Sequence, residues 1–285
     1  MAMIALGVVG ISLSSIFVKY SAAPSAVTAA WRLLWTVALM TPVVWGRGAV
    51  RRELLGVDWP LALRSALSGL FLAIHFVLWF ESLNRTSVAS STTIVCTEVI
   101  WVCLGYWLFL GGKVPGKALG AIGVTLLGSV LIAFADSGTR GQLWGDILAL
   151  LAAVAVAAYT LIGRVVRARA STAVYTYLVY TACAAVLVLT CAVRGEGLLD
   201  HGASPVWVGL ALAVFSTILG HSIFSWCLKY FSPAFVSASK LCEPVGAAAL
   251  AAVLFAQIPT PMQLAGGGLI LGGVLWYSRM EGERT

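Results

Sequence analysis

Ten apolar stretches follow one another along the chain, each about long enough to cross a hydrocarbon layer of ~30 Å at ~1.5 Å rise per residue. They cover residues 2–19, 25–45, 61–82, 87–110, 117–135, 143–163, 172–193, 205–228, 233–256 and 262–279. Turn residues gather between them: Pro24, Gly46, Gly48, Pro60, Gly111, Gly112, Pro115, Pro205, Pro233, Pro259 and Pro261. In lipid a backbone must satisfy its own polar groups, and a helix does so within one segment. The pattern therefore predicts an all-α membrane protein with ten transmembrane helices and no extramembrane domain. The first stretch has no basic residues before it and Lys19 after it, so it reads as a retained helix rather than a leader.

The pattern also repeats. Displacing the chain by about 145 residues brings Leu83 onto Leu228, Ser87 onto Ser232, Glu98 onto Glu243, Gly123 onto Gly268 and Gly128 onto Gly273. Coincidence among apolar residues carries little weight. The superposition of two mid-helix glutamates carries more, because charge is rare at that depth. The reading is two halves, 1–140 and 141–285, each of five helices. An odd number of spans per half inserts the second half upside down relative to the first. Two inverted five-helix repeats place a binding site near the bilayer midplane, between the halves.

Composition agrees with this. The chain has 285 residues, 60% of them hydrophobic and 10% charged, with mean hydropathy +0.97. Soluble domains carry about 25% charged residues. The formal charge is +7, which by itself suits a nucleic-acid partner. The position of the basic residues argues instead for orientation in a bilayer, with no nucleic-acid partner. With the N-terminus in the cytoplasm, Arg47, Arg51, Arg52, Arg64, Lys113, Lys117, Arg164, Arg167, Arg169, Lys229, Arg279 and Arg284 lie inside. Lys19, Arg85, Arg140 and Arg194 lie outside. This places both termini in the cytoplasm and the chain, multi-pass, in the inner (plasma) membrane. Cys96, Cys103, Cys183, Cys191, Cys227 and Cys242 all fall inside apolar stretches without metal spacing, so no disulfide framework or metal site is expected.

Polar groups deep in lipid are the candidates for chemistry. Glu98 and Glu243 each lie about ten residues into a helix, near the bilayer centre. Lys240 precedes Glu243 by three residues, so the two heads can meet on one face. That pair serves either as a gate or solute site, or as a self-neutralising structural pair. Pro244 bends its helix and frees the carbonyl of Lys240, and such backbone must face protein or water. Pro42 is a second kink candidate, with a packing role. His75 and Trp79 share a face, as do His221 and Ser225, and the histidines fall one residue apart in the repeat. A coupling proton relay and a hydrogen-bonded structural role both fit them. Trp101 shares the face of Glu98. Trp31, Trp45, Trp59, Trp144, Trp207 and Trp276 read as interface-belt residues. Arg32 reads as a side chain that snorkels to the outer interface, or as an anion ligand. Ser12, Ser15 and Lys19 form a polar stripe. Gly268 with Gly272, and Gly116 with Gly120, are GxxxG pairs, suited to close packing of the fifth and tenth helices or to a subunit interface. No HExxH, GxSxG, Walker A or TVGYG motif occurs, so neither an enzyme nor a cofactor is expected.

The run AWRLLWTVALMTP from Ala30 to Pro42 resembles the second-helix signature of EamA-type proteins of the drug/metabolite transporter superfamily. So does SPAFVSASKLCEP from Ser232 to Pro244, which includes Ser237, followed by GGGLILGG from Gly266 to Gly273. The first-half counterparts run from Ser87 to Glu98 and from Gly120 to Gly128. The chain departs from the family pattern at Val99, where Pro is frequent, and at Gly112-Lys113 and Gln257-Ile258, where Gly-Glu is frequent. The resemblance implies a central cavity and ATP-independent export of small organic metabolites by alternating access. Its tryptophan content is similar to that of the branch exporting aromatic amino acids, which implies amino acids with aromatic or other hydrophobic side chains. The alternative is a membrane-embedded enzyme or receptor acting on a lipid-linked or small amphipathic ligand. The residues expected to line the pathway are His75, Trp79, Glu98, Trp101, His221, Ser237, Lys240 and Glu243.

Overall fold

The computed structural model describes residues 2–86, 88–136, 143–246, 249–250 and 260–282, without the side chains at 15, 19, 88–90, 132, 133, 135, 136, 281 and 282. Every element among them is helical. In chain order they are α1 (Ala2–Ser12), α2 (Ser14–Lys19), α3 (Ser25–Gly46), α4 (Gly48–Leu55), α5 (Trp59–Arg85), α6 (Val88–Cys96), α7 (Glu98–Leu110) and α8 (Gly116–Asp136). There follow α9 (Leu143–Arg167), α10 (Thr172–Arg194), α11 (Ser204–Ala211), a π-helical segment (Leu212–His221), α12 (Ser222–Cys227), α13 (Pro233–Lys240) and α14 (Pro261–Gly282). Among the described residues six runs are long and apolar enough to cross a membrane: Ser25–Gly46, Trp59–Arg85, Ser91–Leu110, Leu143–Arg167, Thr172–Arg194 and Ser204–Cys227. Ala2–Val18 and Gly116–Leu131 are shorter apolar helices. The expected end of the ninth stretch at 256, and the placements of Arg140, Gln257, Ile258, Pro259 and Arg284, fall outside the described residues.

The ends of these helices follow local chemistry. Asp58 caps α5 by accepting from the Leu61 amide at 3.0 Å, ahead of Pro60 in the first turn. Ser171 and Ser232 cap α10 and α13 in the same way. Gly111 and Gly195 end α7 and α10 at φ +62° and +68°. That left-handed turn lets the Gly112 amide reach the Tyr106 carbonyl at 3.0 Å and the Glu196 amide reach that of Cys191 at 2.9 Å.

Three features depart from the uniform pattern of apolar stretches. A helix, α4, forms between the second and third stretches; none of its residues is buried, and Arg51, Arg52 and Leu55 are exposed. The fourth stretch stops at Thr97, whose hydroxyl donates to the Ile94 carbonyl at 2.6 Å, and restarts at Glu98. The stretch after Pro233 stops at Lys240, turns through Leu241 and Cys242, and is helical again over 243–246. Its turn amides bond three residues back, Leu241 to Ala238 and Cys242 to Ser239. Displacement by about 145 residues carries Thr97 onto Cys242, so the two interruptions are counterparts, each immediately before a glutamate. The break thus precedes Pro244 and occurs in the other half without any proline. Helix α3, by contrast, runs unbroken through Pro42.

Apolar side chains meet in two clusters. One gathers residues of α3, α5, α9 and α10 around Phe76, Phe80, Tyr175 and Tyr180. The other gathers residues of α1, α7, α8, α12, α13 and α14 around Phe224, Phe235 and Tyr277. Meanwhile Phe109 and Val193 are about 80% exposed and Leu63, Leu189 and Leu275 more than half exposed, a surface suited to lipid rather than water. Trp45, Trp59, Trp144, Trp207 and Trp276 lie on that surface, but Trp31 turns inward and donates to the Leu198 carbonyl at 2.9 Å.

Helices α8 and α14 pack closely, but not through the GxxxG pairs. Gly116, Gly268 and Gly272 have open space where a Cβ would stand, and Gly120 is in ordinary contact with Trp276. The close approach is at Gly128, where a Cβ would lie 2.5 Å from the Gly266 carbonyl, and at Gly273, against Thr125 and Ala121. All six cysteines are free.

Candidate functional site

Where the two clusters meet, a small cavity of about 40 Å³ is lined by Ile11, Ser14, Arg32, His75, Trp79, Val95, Glu98, Val156, His221, Lys240 and Glu243. It draws on the first half and on the second, and it holds a concentration of polar groups unusual for a membrane interior.

Arg32, on α3, is fully buried. Its Nε donates to Thr217 Oγ1 at 2.7 Å and its Nη1 to Ser14 Oγ at 3.3 Å, and its guanidinium carbon stands 4.2 Å from the centroid of the Phe76 ring. A buried guanidinium is tolerable here because Nε and Nη1 have acceptors and the ring face is attractive to cations. The residue therefore does not snorkel to an interface. Thr217 reaches it from the π-helical segment, where the wider winding shows in Thr217 Oγ1 donating five residues back to the Leu212 carbonyl and Ser222 Oγ to that of Thr217. Such winding commonly marks functional positions.

Glu98 begins α7, and its Oε1 lies 2.9 Å from Lys240 Nζ at the end of α13. The lysine also stands 5.6 Å from the Phe224 centroid. Lys240 thus pairs across the halves with Glu98, not with Glu243 on its own helix as the spacing suggests. Despite the three-residue spacing, among the described residues it is the carboxylate of Glu98, from the other half, that comes within ion-pairing distance of Lys240. Ser12 Oγ donates to the Glu243 carbonyl at 3.2 Å, while Glu243 Oε1 is buried with no hydrogen-bond partner among the described residues.

His75 Nδ1 lies 3.0 Å from the Ala152 carbonyl. A carbonyl only accepts, so Nδ1 carries a proton. The ring stacks on Trp79 at 5.9 Å, 17° from parallel. His221 meets the edges of Phe76 at 5.4 Å and Tyr159 at 6.1 Å. Tyr159 in turn shares a hydrogen bond with Ser225 at 2.9 Å. Of the eight expected pathway residues, His75, Trp79, Glu98, His221, Lys240 and Glu243 line the cavity. Trp101 and Ser237 stand outside its lining; the Trp101 indole N–H and the fully buried Ser237 hydroxyl have no partner among the described residues. Of the polar stripe, Ser12 touches the site through its bond to the Glu243 carbonyl, and the side chains of Ser15 and Lys19 lie outside the described residues. Ser14, Phe76 and Tyr159 are contributions that sequence reasoning missed. The repeat offers one signal, since displacement by about 145 residues carries Ser14 onto Tyr159.

Among the lining residues the formal charges are two cationic, Arg32 and Lys240, and two anionic, Glu98 and Glu243. The cavity is balanced overall and divided locally. Among the described residues no group of three or more His, Cys, Asp or Glu side chains could hold a metal ion.

A search of curated proteins by sequence finds no match. A solved structure titled "Crystal structure of protein" superposes with a TM-score of 0.81 at 19% identity, over 99% of this chain and 97% of that one. At that identity the likeness establishes the fold. The model of the EamA-like transporter family matches twice, over residues 1–134 and 143–279, so the chain holds two copies of the family's unit. Glu98 and Lys240 are therefore partners from different copies. The chain belongs to the EamA-like transporter family and is a multi-pass membrane transporter of small molecules.

Proposed function

We propose that the protein exports small organic metabolites, namely amino acids with aromatic or other hydrophobic side chains, out of the cytoplasm across the inner (plasma) membrane. Ten spans form two inverted halves, divided at about residue 140, with both termini in the cytoplasm. The solute site is the cavity between them, and the halves rock to expose it alternately. The observation that carries this reading is the Glu98–Lys240 ion pair at 2.9 Å, which joins the two copies at a polar cavity. A buried pair that only stabilised the fold is readily replaced by apolar packing. A pair that breaks and reforms between halves suits a moving interface.

Packing supports a two-fold relation between the halves. Exchanging the halves maps α8 on α14 onto itself, and α3 on α10 onto itself. It maps α5 on α9 onto the Ser204–Cys227 run on α1, and each of these pairs is in contact. The wall of Phe76, Trp79 and His75 gives apolar surface beside charge, as a hydrophobic amino acid requires. At about 40 Å³ the cavity has room for a few waters, so a solute enters only when the lining parts. Coupling to a proton through His75 and His221 belongs to the same proposal.

The test uses the native thiols. Cys96 precedes the first interruption and Cys242 lies in the second. In variants keeping one of these cysteines, reconstituted in liposomes, a membrane-impermeant maleimide should label from opposite sides as an amino-acid gradient is reversed, with labelled amino acid accumulating on one side. Labelling from a single side under every gradient, or no amino-acid flux with or without a pH difference, overturns the proposal.

A further inference from the structure

Lys240 and Glu98 neutralise each other in the cavity at 2.9 Å. The two remaining charges are not so matched. Arg32 keeps its Nη2, with two N–H donors, buried and without a partner among the described residues, and Glu243 keeps Oε1 in the same condition. Both residues line the same cavity, and among the described residues no ion pair joins them. They come from different copies of the repeat. Arg32 is oriented by Thr217 and Ser14 on its other nitrogens, which holds the planar fork in place without using its far donors. Glu243 is held at its backbone by Ser12, which leaves the carboxylate uncommitted.

We propose that Arg32 and Glu243 form a two-point clamp that selects zwitterions, with the solute's carboxylate on Arg32 and its ammonium on Glu243. The clamp rests on the transport reading above and names the atoms that set its specificity. A buried guanidinium and a buried carboxylate each need an opposite charge once water is excluded. An amine lacking a carboxylate leaves Arg32 unmatched. An acid lacking an ammonium leaves Glu243 unmatched. An uncharged solute leaves both unmatched, and only a solute carrying both charges matches each group while keeping the lining neutral. Lys240 does not compete for the solute's carboxylate, because Glu98 already holds it.

The purified full chain in detergent provides the test, through thermal stabilisation by three probes: L-phenylalanine, 2-phenylethylamine and 3-phenylpropanoate, with L-leucine and its two analogues in parallel. The amino acids should bind at least about tenfold more tightly than either analogue, because a charged partner is lost in each. Glu243→Gln should remove the preference for amino acid over acid and keep the preference over amine. Arg32→Gln should do the reverse; should it fail to fold, the wild-type panel and Glu243→Gln still decide. Equal stabilisation by an analogue, unchanged discrimination in Glu243→Gln, or no stabilisation by either amino acid overturns the clamp. Flux in liposomes separates the two readings. Discriminating binding without flux sinks transport and leaves the clamp; equal flux of amine, acid and amino acid sinks the clamp and leaves transport.

Discussion

Single residues carry opposite lessons at the middle and at the rim of this molecule. Glu98 and Lys240 keep about 5% and 11% of their side-chain surface, so removing one partner strands a charge. Glu98→Gln should destabilise the protein by about 3–5 kcal/mol, and Glu98→Gln with Lys240→Met should recover much of that loss. Thermal unfolding in detergent measures both; a double variant no more stable than the single would show that the pair does more than neutralise itself. At the rim, Asp58 pairs with Arg169 at 2.7 Å, where both side chains are about half exposed. Arg169's hydrogen bond, then that of the Leu61 amide, holds the Asp58 carboxyl below the usual carboxylate range. A lowered folded-state value means the contribution is present above about pH 4, the unfolded value, and is lost as pH falls through the folded one. Asp58→Asn should therefore lower stability at neutral pH and flatten the acid limb below about pH 4, so that variant and wild type converge in acid, read by thermal unfolding across pH.

Helices were readable from the sequence as apolar stretches, and their interruptions were not. A run of apolar residues reports hydrocarbon thickness, a one-dimensional quantity. An interruption such as that at Thr97 depends on a hydroxyl turning back on the Ile94 carbonyl, a choice that composition does not reveal. Helix α4 escaped for a related reason, since eight residues bearing two arginines lack the apolar length that marks a span. The glycines make the same distinction testable. Gly128→Ala forces a Cβ toward the Gly266 carbonyl at 2.5 Å and should cost about 1–3 kcal/mol. Gly268→Ala meets open space and should be neutral or stabilising by up to about 1 kcal/mol. Equal effects in thermal unfolding would sink the assignment of the close contact between α8 and α14.

At the scale of the whole molecule, two copies of one unit enclose a cavity that neither lines alone. Rocking of the copies about that cavity predicts that cross-linking them should trap one state. A cysteine pair replacing Thr86 and Asp146, whose side chains meet across the two copies at 2.8 Å, should abolish flux when oxidised and restore it on reduction. Flux that persists in the cross-linked protein would place the moving surface elsewhere.

The sequence by itself determined the solvent, the helical class and the pairing of Glu98 with Glu243 as repeat counterparts, because apolar length and periodicity are properties of the chain read in order, and its motif runs carried the resemblance to the family. Tertiary structure decided which polar groups meet. In lipid an apolar side chain is equally at home against a neighbour or a hydrocarbon tail, so hydrophobicity does not mark the inward face of a helix as it does in water. Lys240 had a carboxylate three residues away and took one from the other half. Arg32 lay near enough to a helix end to reach the surface and instead found Thr217 and Phe76. Both choices depend on distances between helices, which exist only once the two halves have packed.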